Sequence, residues 1–347
     1  MKKIKNKIWL DRHAKNKFKK ELKRRYRYNE KNYTTYVEQS QTLKSKKRLK
    51  YKLSRNKYDP LIAPENFSLY SNPEETLSFF YDIEQKFKHG NPVYFDMKNI
   101  KILTIDTIMY FLAILKGLKH ARIEYGVKGS IPSEKKCKDL LKASGFFKYV
   151  NSGYRNKDLS YESDMIQISI GQNANPYSAK NICDFTMSKL NLKRAAIRSL
   201  YDVMIELMSN TKQHAYGIRY VIRDWYIFVR YISEKNSIRF IFLDTGEGIP
   251  TTVKRTGFEY IKSIVANVPL MPVGTKHTEY IRSALNGELR SSTGKLHRGK
   301  GLPKIYSFYN NGYIKKLTII SNHGYFAKGF DNDIDNSLNG TIYYWEI

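Results

Sequence analysis

Apolar and polar positions change their rhythm several times along this chain, and the changes mark out its elements. Residues 92–96, PVYFD, read as a short strand, and 105–118 as an apolar helix around IMYFLAIL. A second strand is predicted at 121–125, ARIEY, and an amphipathic helix at 136–149, KCKDLLKASGFFKY. Strand, helix, strand, helix at this spacing predicts a small α/β unit over about 58–155. Beyond it, 151–190 reads as a polar connection holding one strand, 165–170. A long helix follows at about 192–216. Two strands, 226–232 and 238–243, are joined by SEKNS and read as a hairpin. A stretch of mixed polarity runs from 251 to 298. A helix starts near Gly301, a strand covers 316–321, and the chain ends in GTIYYWEI.

Composition changes the picture at the N-terminus. The 347 residues carry a net charge of +29, and residues 1–57 hold 22 Lys and Arg against 4 acids. This basic, tyrosine-containing arm has no clean apolar stripe. It is either a solvated, disordered tail or an arm drawn to a polyanion such as nucleic acid. Hydrophobic residues make up 41%, enough for a sizeable core. Cys137 and Cys183 have no metal-site spacing and rule out a disulfide scaffold. No run approaches the length of a membrane span, and the basic start has no apolar core behind it, so a cytoplasmic protein is expected.

Three polar patches carry candidate chemistry. On the long helix, Glu206, Asn210 and His214 recur every four residues and share one face. A carboxylate and an amide one turn apart suit water and a hard cation: the amide oxygen ligates Mg²⁺, the carboxylate accepts a proton. Next, the strand IRFIFLD ends in Asp244-Thr-Gly246-Glu-Gly248. An acid there can accept from an exocyclic amine, and glycines let backbone approach a flat ring. Last, Arg298-Gly299-Lys300-Gly301-Leu302 opens a helix, where free N–H groups and the helix dipole attract an anion. Taken singly, each also has a plain reading: an exposed helix face, a tight turn, a glycine-rich loop.

Their order is more specific. Glu-x-x-x-Asn on a helix, Asp-x-Gly-x-Gly after a strand, Gly-x-Gly-Leu opening a helix and Gly-Thr in the last strand resemble the GHKL ATPase superfamily. That group includes histidine kinases, anti-sigma-factor serine kinases, type II topoisomerases and a heat-shock chaperone. The resemblance covers about 190–347. It implies an α+β chain whose C-terminal part, 156–347, is a Bergerat-type α/β sandwich, a mixed, mostly antiparallel sheet with helices on one face. It also implies ATP and magnesium as ligands. Glu206 would be the base that activates water or a hydroxyl, Asn210 the magnesium ligand, Asp244 the adenine-reading acid with Gly246 and Gly248 beside the base, Gly299 and Gly301 phosphate contacts, and Thr341 the last-strand threonine near adenine. Residues 251–298 would form the mobile ATP lid. NTKQHAY, 210–216, is close to the anti-sigma kinase pattern, whereas LDTGEGIP is closer to histidine kinases.

The segment VYFDMKNI, 93–100, with a helix from about 105, is similar to STAS domains, the fold of anti-anti-sigma factors. Those carry a phosphorylatable serine near the helix start; this chain has Thr104 and Thr107 there. Together the resemblances imply a regulatory ATP-binding protein, an ATPase or a protein kinase, acting on a protein partner, with a homodimer allowed. The alternative is a nucleic-acid-binding module that uses the basic arm, with the ATP site as its switch.

Overall fold

A computed structural model describes residues 59–88, 93–120, 127–150, 163–213, 224–254, 275–287, 301–327 and 329–347. The basic arm, the strand expected at 121–125, and His214, Arg298, Gly299 and Lys300 lie outside the described residues.

The first part is built from β1 (Asp59–Ile62), β2 (Asn66–Phe67), α1 (Pro73–Lys88), β3 (Val93–Asp96), β4 (Ile102–Leu103), α2 (Ile105–His120), β5 (Val127–Gly129) and α3 (Lys135–Ala143). β1, β3 and β5 form a parallel sheet in that order, and β2 pairs parallel with β4. α1 opens with Pro73, Glu74 and Glu75: proline needs no N–H there, and the acids suit the positive end of the helix. α2 buries eight consecutive residues, Ile105 to Leu112, so it is covered nearly all round. The helix expected over 136–149 is shorter. It stops at Ala143 because Gly145 takes φ 84, a left-handed conformation that ends a helix, and a 3-10 turn follows at Phe146–Lys148.

The second part contains β6 (Met165–Gly171), α4 (Pro176–Lys189), α5 (Arg194–Gln213), β7 (Trp225–Ile232), β8 (Ser237–Asp244), α6 (His277–Asn286), α7 (Gly301–Asn310), β9 (Lys316–Ala327) and β10 (Phe330–Glu346). α4 lies in what reads as a polar connection. Its start is an Asn-Pro pair, in which the Asn175 side chain accepts from the Ser178 N–H at 3.1 Å and Pro176 begins the helix. The interval 251–298, expected as a lid, holds α6, whose Tyr280, Ile281, Ala284 and Leu285 are buried. β9 and β10 are much longer than the strands expected from sequence.

The second-part strands form one antiparallel sheet in the order β6-β7-β8-β10-β9. The chain is thus α+β, with an antiparallel sheet and helices. The strands WYIFVRYI and SIRFIFLD are nearly continuously apolar because this sheet is covered on both faces. One face carries Ile227, Val229, Phe240, Phe242, Ile319, Tyr343 and Trp345 and packs against α4, α5, α6 and α7. The other carries Phe228, Ile241, Leu243, Ile320 and Ile342 and shares a core with Phe80, Ile108, Phe111 and Phe146 of the first part. The helices of the second part thus lie on one face, and α1 and α2 of the first part cover the other. The boundary expected near 155 falls outside the described residues, and Asp59–Ile347 make one unit. Among the described residues no helix is long and apolar enough to cross a membrane.

Candidate functional site

α5 is seated by Leu200, Val203, Met204, Leu207 and Met208, all buried on the sheet. That burial leaves Glu206 and Asn210 half-buried beside the seam, one turn apart. α7 starts on this ridge. A Cβ on Gly301 would sit 2.9 Å from Asn210 Nδ2 and 3.1 Å from Glu206 Cβ. A side chain at this position would press on both residues, so glycine lets the two helices meet closely here. One turn further, Lys304 Nζ donates to Glu206 Oε1 at 3.1 Å. Leu302 packs on the apolar core of the same face.

Strand register builds the second half of the site. Gly171, Trp225, Asp244, Thr341 and Ser321 fall in one row across all five strands. Alternation puts the Asp244 side chain on the same face as Phe240 and Phe242, the face that carries α5 and α7. The Trp225 indole lies over Gly171, where a Cβ would be 2.2 Å from the ring, and its Nε1 donates to the Asn173 carbonyl at 2.8 Å. The Asp244 carboxylate accepts from the Gly246 N–H at 3.0 Å and from the Thr341 hydroxyl. Thr341 in turn lies 2.9 Å from Ser321 Oγ, which accepts from the Ile249 N–H at 2.8 Å. Burial pushes the Asp244 carboxyl up to about 6, while the Gly246 N–H and the Thr341 hydroxyl pull the other way.

The glycines of LDTGEGIP have causes inside the protein. Gly248 has φ 84, and a Cβ there would be 2.6 Å from the Asn322 amide. Asn322 donates to the Glu247 carbonyl at 3.0 Å and accepts from the Thr251 hydroxyl at 3.0 Å, so it pins the turn to β9. Thr245 holds the turn from below: its hydroxyl accepts from the Asp224 N–H and donates to the Asp224 carbonyl, both at 3.1 Å. The buried Asp224 carboxylate is paired with Lys116 of α2 at 2.5 Å and accepts from Gln172 at 3.0 Å. Gly340 is the tightest of the described glycines. At φ 119, a Cβ would lie 2.1 Å from the Asp244 carbonyl.

Six of the residues singled out from sequence thus fall into two clusters on the helix-bearing face: Glu206, Asn210 and Gly301 at the α5–α7 seam, and Asp244, Gly246 and Thr341 at the end of β8. Ser321, Asn322 and Lys304 were missed. Lys304 stands three residues after Gly301 on a helix, a spacing that points it at the same ridge. Ser321 and Asn322 carry no sequence signal, since only register places them opposite Thr341 and the turn. Thr107, near the helix start where STAS domains carry their serine, is fully buried and accepts from the Leu69 N–H at 2.9 Å.

Among the described residues no group of three or more His, Cys, Asp or Glu could hold a metal ion. A cavity of about 290 Å³ lies elsewhere, between α1 and β10, lined by Phe80, Glu84, Tyr110, His323 and Asn339. No protein-family model and no curated protein matches the sequence.

Proposed function

We propose that the chain binds Mg-ATP on the helix-bearing face and uses it to control a protein partner, by slow hydrolysis or by phosphorylation. One observation carries this reading: Asp244, a half-buried acid that among the described residues is held by neutral donors, opens on the same face as a helix start seated on Glu206 and Asn210. Asp244 accepts from the exocyclic amine of adenine, and Thr341 orients that carboxylate. The start of α7 offers N–H groups and a positive dipole end to phosphate. Asn210 supplies an amide oxygen for magnesium, and Glu206 takes a proton from water or a hydroxyl. Magnesium, when bound, supplies neutralisation of phosphate charge. Water and a protein hydroxyl need the same base, so both outcomes share one site.

The test is incubation of the whole chain with γ-labelled ATP and magnesium, with and without DNA or RNA. Free phosphate or labelled protein is the expected result. Glu206→Gln removes turnover and leaves nucleotide bound; turnover that survives it would acquit Glu206 as base. A second reading, nucleic-acid binding, is favoured by the 22 cations of residues 1–57. It expects affinity that falls steeply with salt and is lost when 1–57 are deleted.

A further inference from the structure

Lys304 lies in the first turn of α7, a turn that contains no acid. A cation there works against the helix dipole, whose positive end is at the N-terminus. Local rules broken in this way are expected at functional sites. Its partner compensates: the ammonium donates to Glu206 Oε1 at 3.1 Å, and the two side chains are 39% and 26% exposed. An ion pair this open to solvent contributes little to stability, so folding alone is a poor reason for it. Gly301, on the same face of α7 one turn earlier, presses directly on Glu206 and Asn210. Helix start, ammonium, carboxylate and amide therefore converge, and among the described residues the Glu206 carboxylate accepts from that ammonium.

We infer that Lys304 is a positioning residue shared between two anions: it holds Glu206 in the nucleotide-free chain and passes to a phosphate oxygen when nucleotide binds. The inference rests on the nucleotide reading above. While Lys304 is on the carboxylate, Glu206 is fixed and one of its oxygens is occupied by the ammonium. Once Lys304 leaves, Glu206 is free to take a proton. The chain thus suppresses proton abstraction until phosphate charge is present. Competition between carboxylate and phosphate for one ammonium also has a thermodynamic signature that simple charge repulsion lacks.

The experiment is a double-mutant cycle on the full chain, reading Mg-ATP affinity by calorimetry, with thermal unfolding as a check that each variant is folded. Lys304→Met weakens Mg-ATP about tenfold, the worth of one charge-assisted hydrogen bond, and Lys304→Arg restores most of the loss. Glu206→Gln tightens binding a few-fold, and that gain disappears when Lys304 is already Met. An equal gain in both backgrounds, or no gain, overturns the inference. If Lys304→Met does not fold, the gain from Glu206→Gln and its retention with Lys304→Arg carry the test. A wild-type chain that binds no Mg-ATP, or an Asp244→Asn chain that binds it equally well, overturns the nucleotide reading and this inference with it. Asp244-dependent binding with an additive cycle overturns the role of Lys304 alone.

Discussion

Two acids on neighbouring strands of one sheet have opposite fates. Glu346, on β10, is opposite Arg239 at the start of β8, on the face shared with the first part of the chain. Burial alone would raise its carboxyl. The Tyr344 hydroxyl at 2.6 Å and Arg239 Nε and Nη2 at 3.0 and 2.8 Å outweigh that and hold it below the usual carboxylate range. Asp244, at the far end of β8 and on the helix-bearing face, has a backbone N–H and a threonine hydroxyl and is pushed up to about 6. The difference is the counter-cation. An acid supplied with one is finished and structural. An acid left with neutral donors keeps acceptor capacity for an incoming N–H group, and the fold carries the cost.

The largest effect expected at the Asp244 end comes from its backbone. Gly340→Ala forces a Cβ into the Asp244 carbonyl at a φ that L residues avoid, and should cost about 3–4 kcal/mol in chemical denaturation. A loss under about 1 kcal/mol would mean that β10 can give way there. At the other end, Arg239→Met leaves Glu346 buried without its cation and should cost about 2–3 kcal/mol. Mg-ATP affinity should barely move, since that pair lies at the far end of the sheet, and Glu346→Gln in the same chain should recover much of the loss.

Asp244→Asn sharpens the contrast by separating stability from binding. The folded chain holds this carboxyl's proton more tightly than the unfolded chain does. Ionisation therefore removes stability as pH rises from about 4 to about 6. The substitution should raise stability by about 1–2 kcal/mol at pH 7.5, a gain that vanishes below about pH 4. It should weaken Mg-ATP binding about tenfold. In the wild type, affinity should decline as pH falls from 7 to 5 while Asp244 takes up its proton, and the Asn variant should show no such decline. Least of all, Ser321→Ala removes the acceptor for the Ile249 N–H and the neighbour of Thr341, for about 1 kcal/mol.

The elements with strong periodicity were legible: α2, α5, α7, β7 and β8 lie within a few residues of their expected places. α4 was hidden because Asn175-Pro176 is as much a turn signal as a helix start, and nothing local decides between them. The 136–149 helix was overextended because its apolar spacing continues through Phe146, while Gly145 quietly ends it. Within the site, Glu206 and Asn210 were legible as a one-turn ridge, whereas the contact of Gly301 with that ridge depends on how α5 and α7 pack.

Sequence alone picked out candidate residues such as Glu206, Asn210, Asp244, Gly301 and Thr341 and the element each belongs to, because helix and strand periods are local and span only a few residues. What covers the second face, which residues share the row of Asp244, and which acid receives a cation were decided by tertiary structure alone. Those outcomes depend on strand register and helix docking between segments as much as 261 residues apart, as where the Asp335 N–H donates to the Glu74 carboxylate. No local pattern encodes the meeting of two distant side chains.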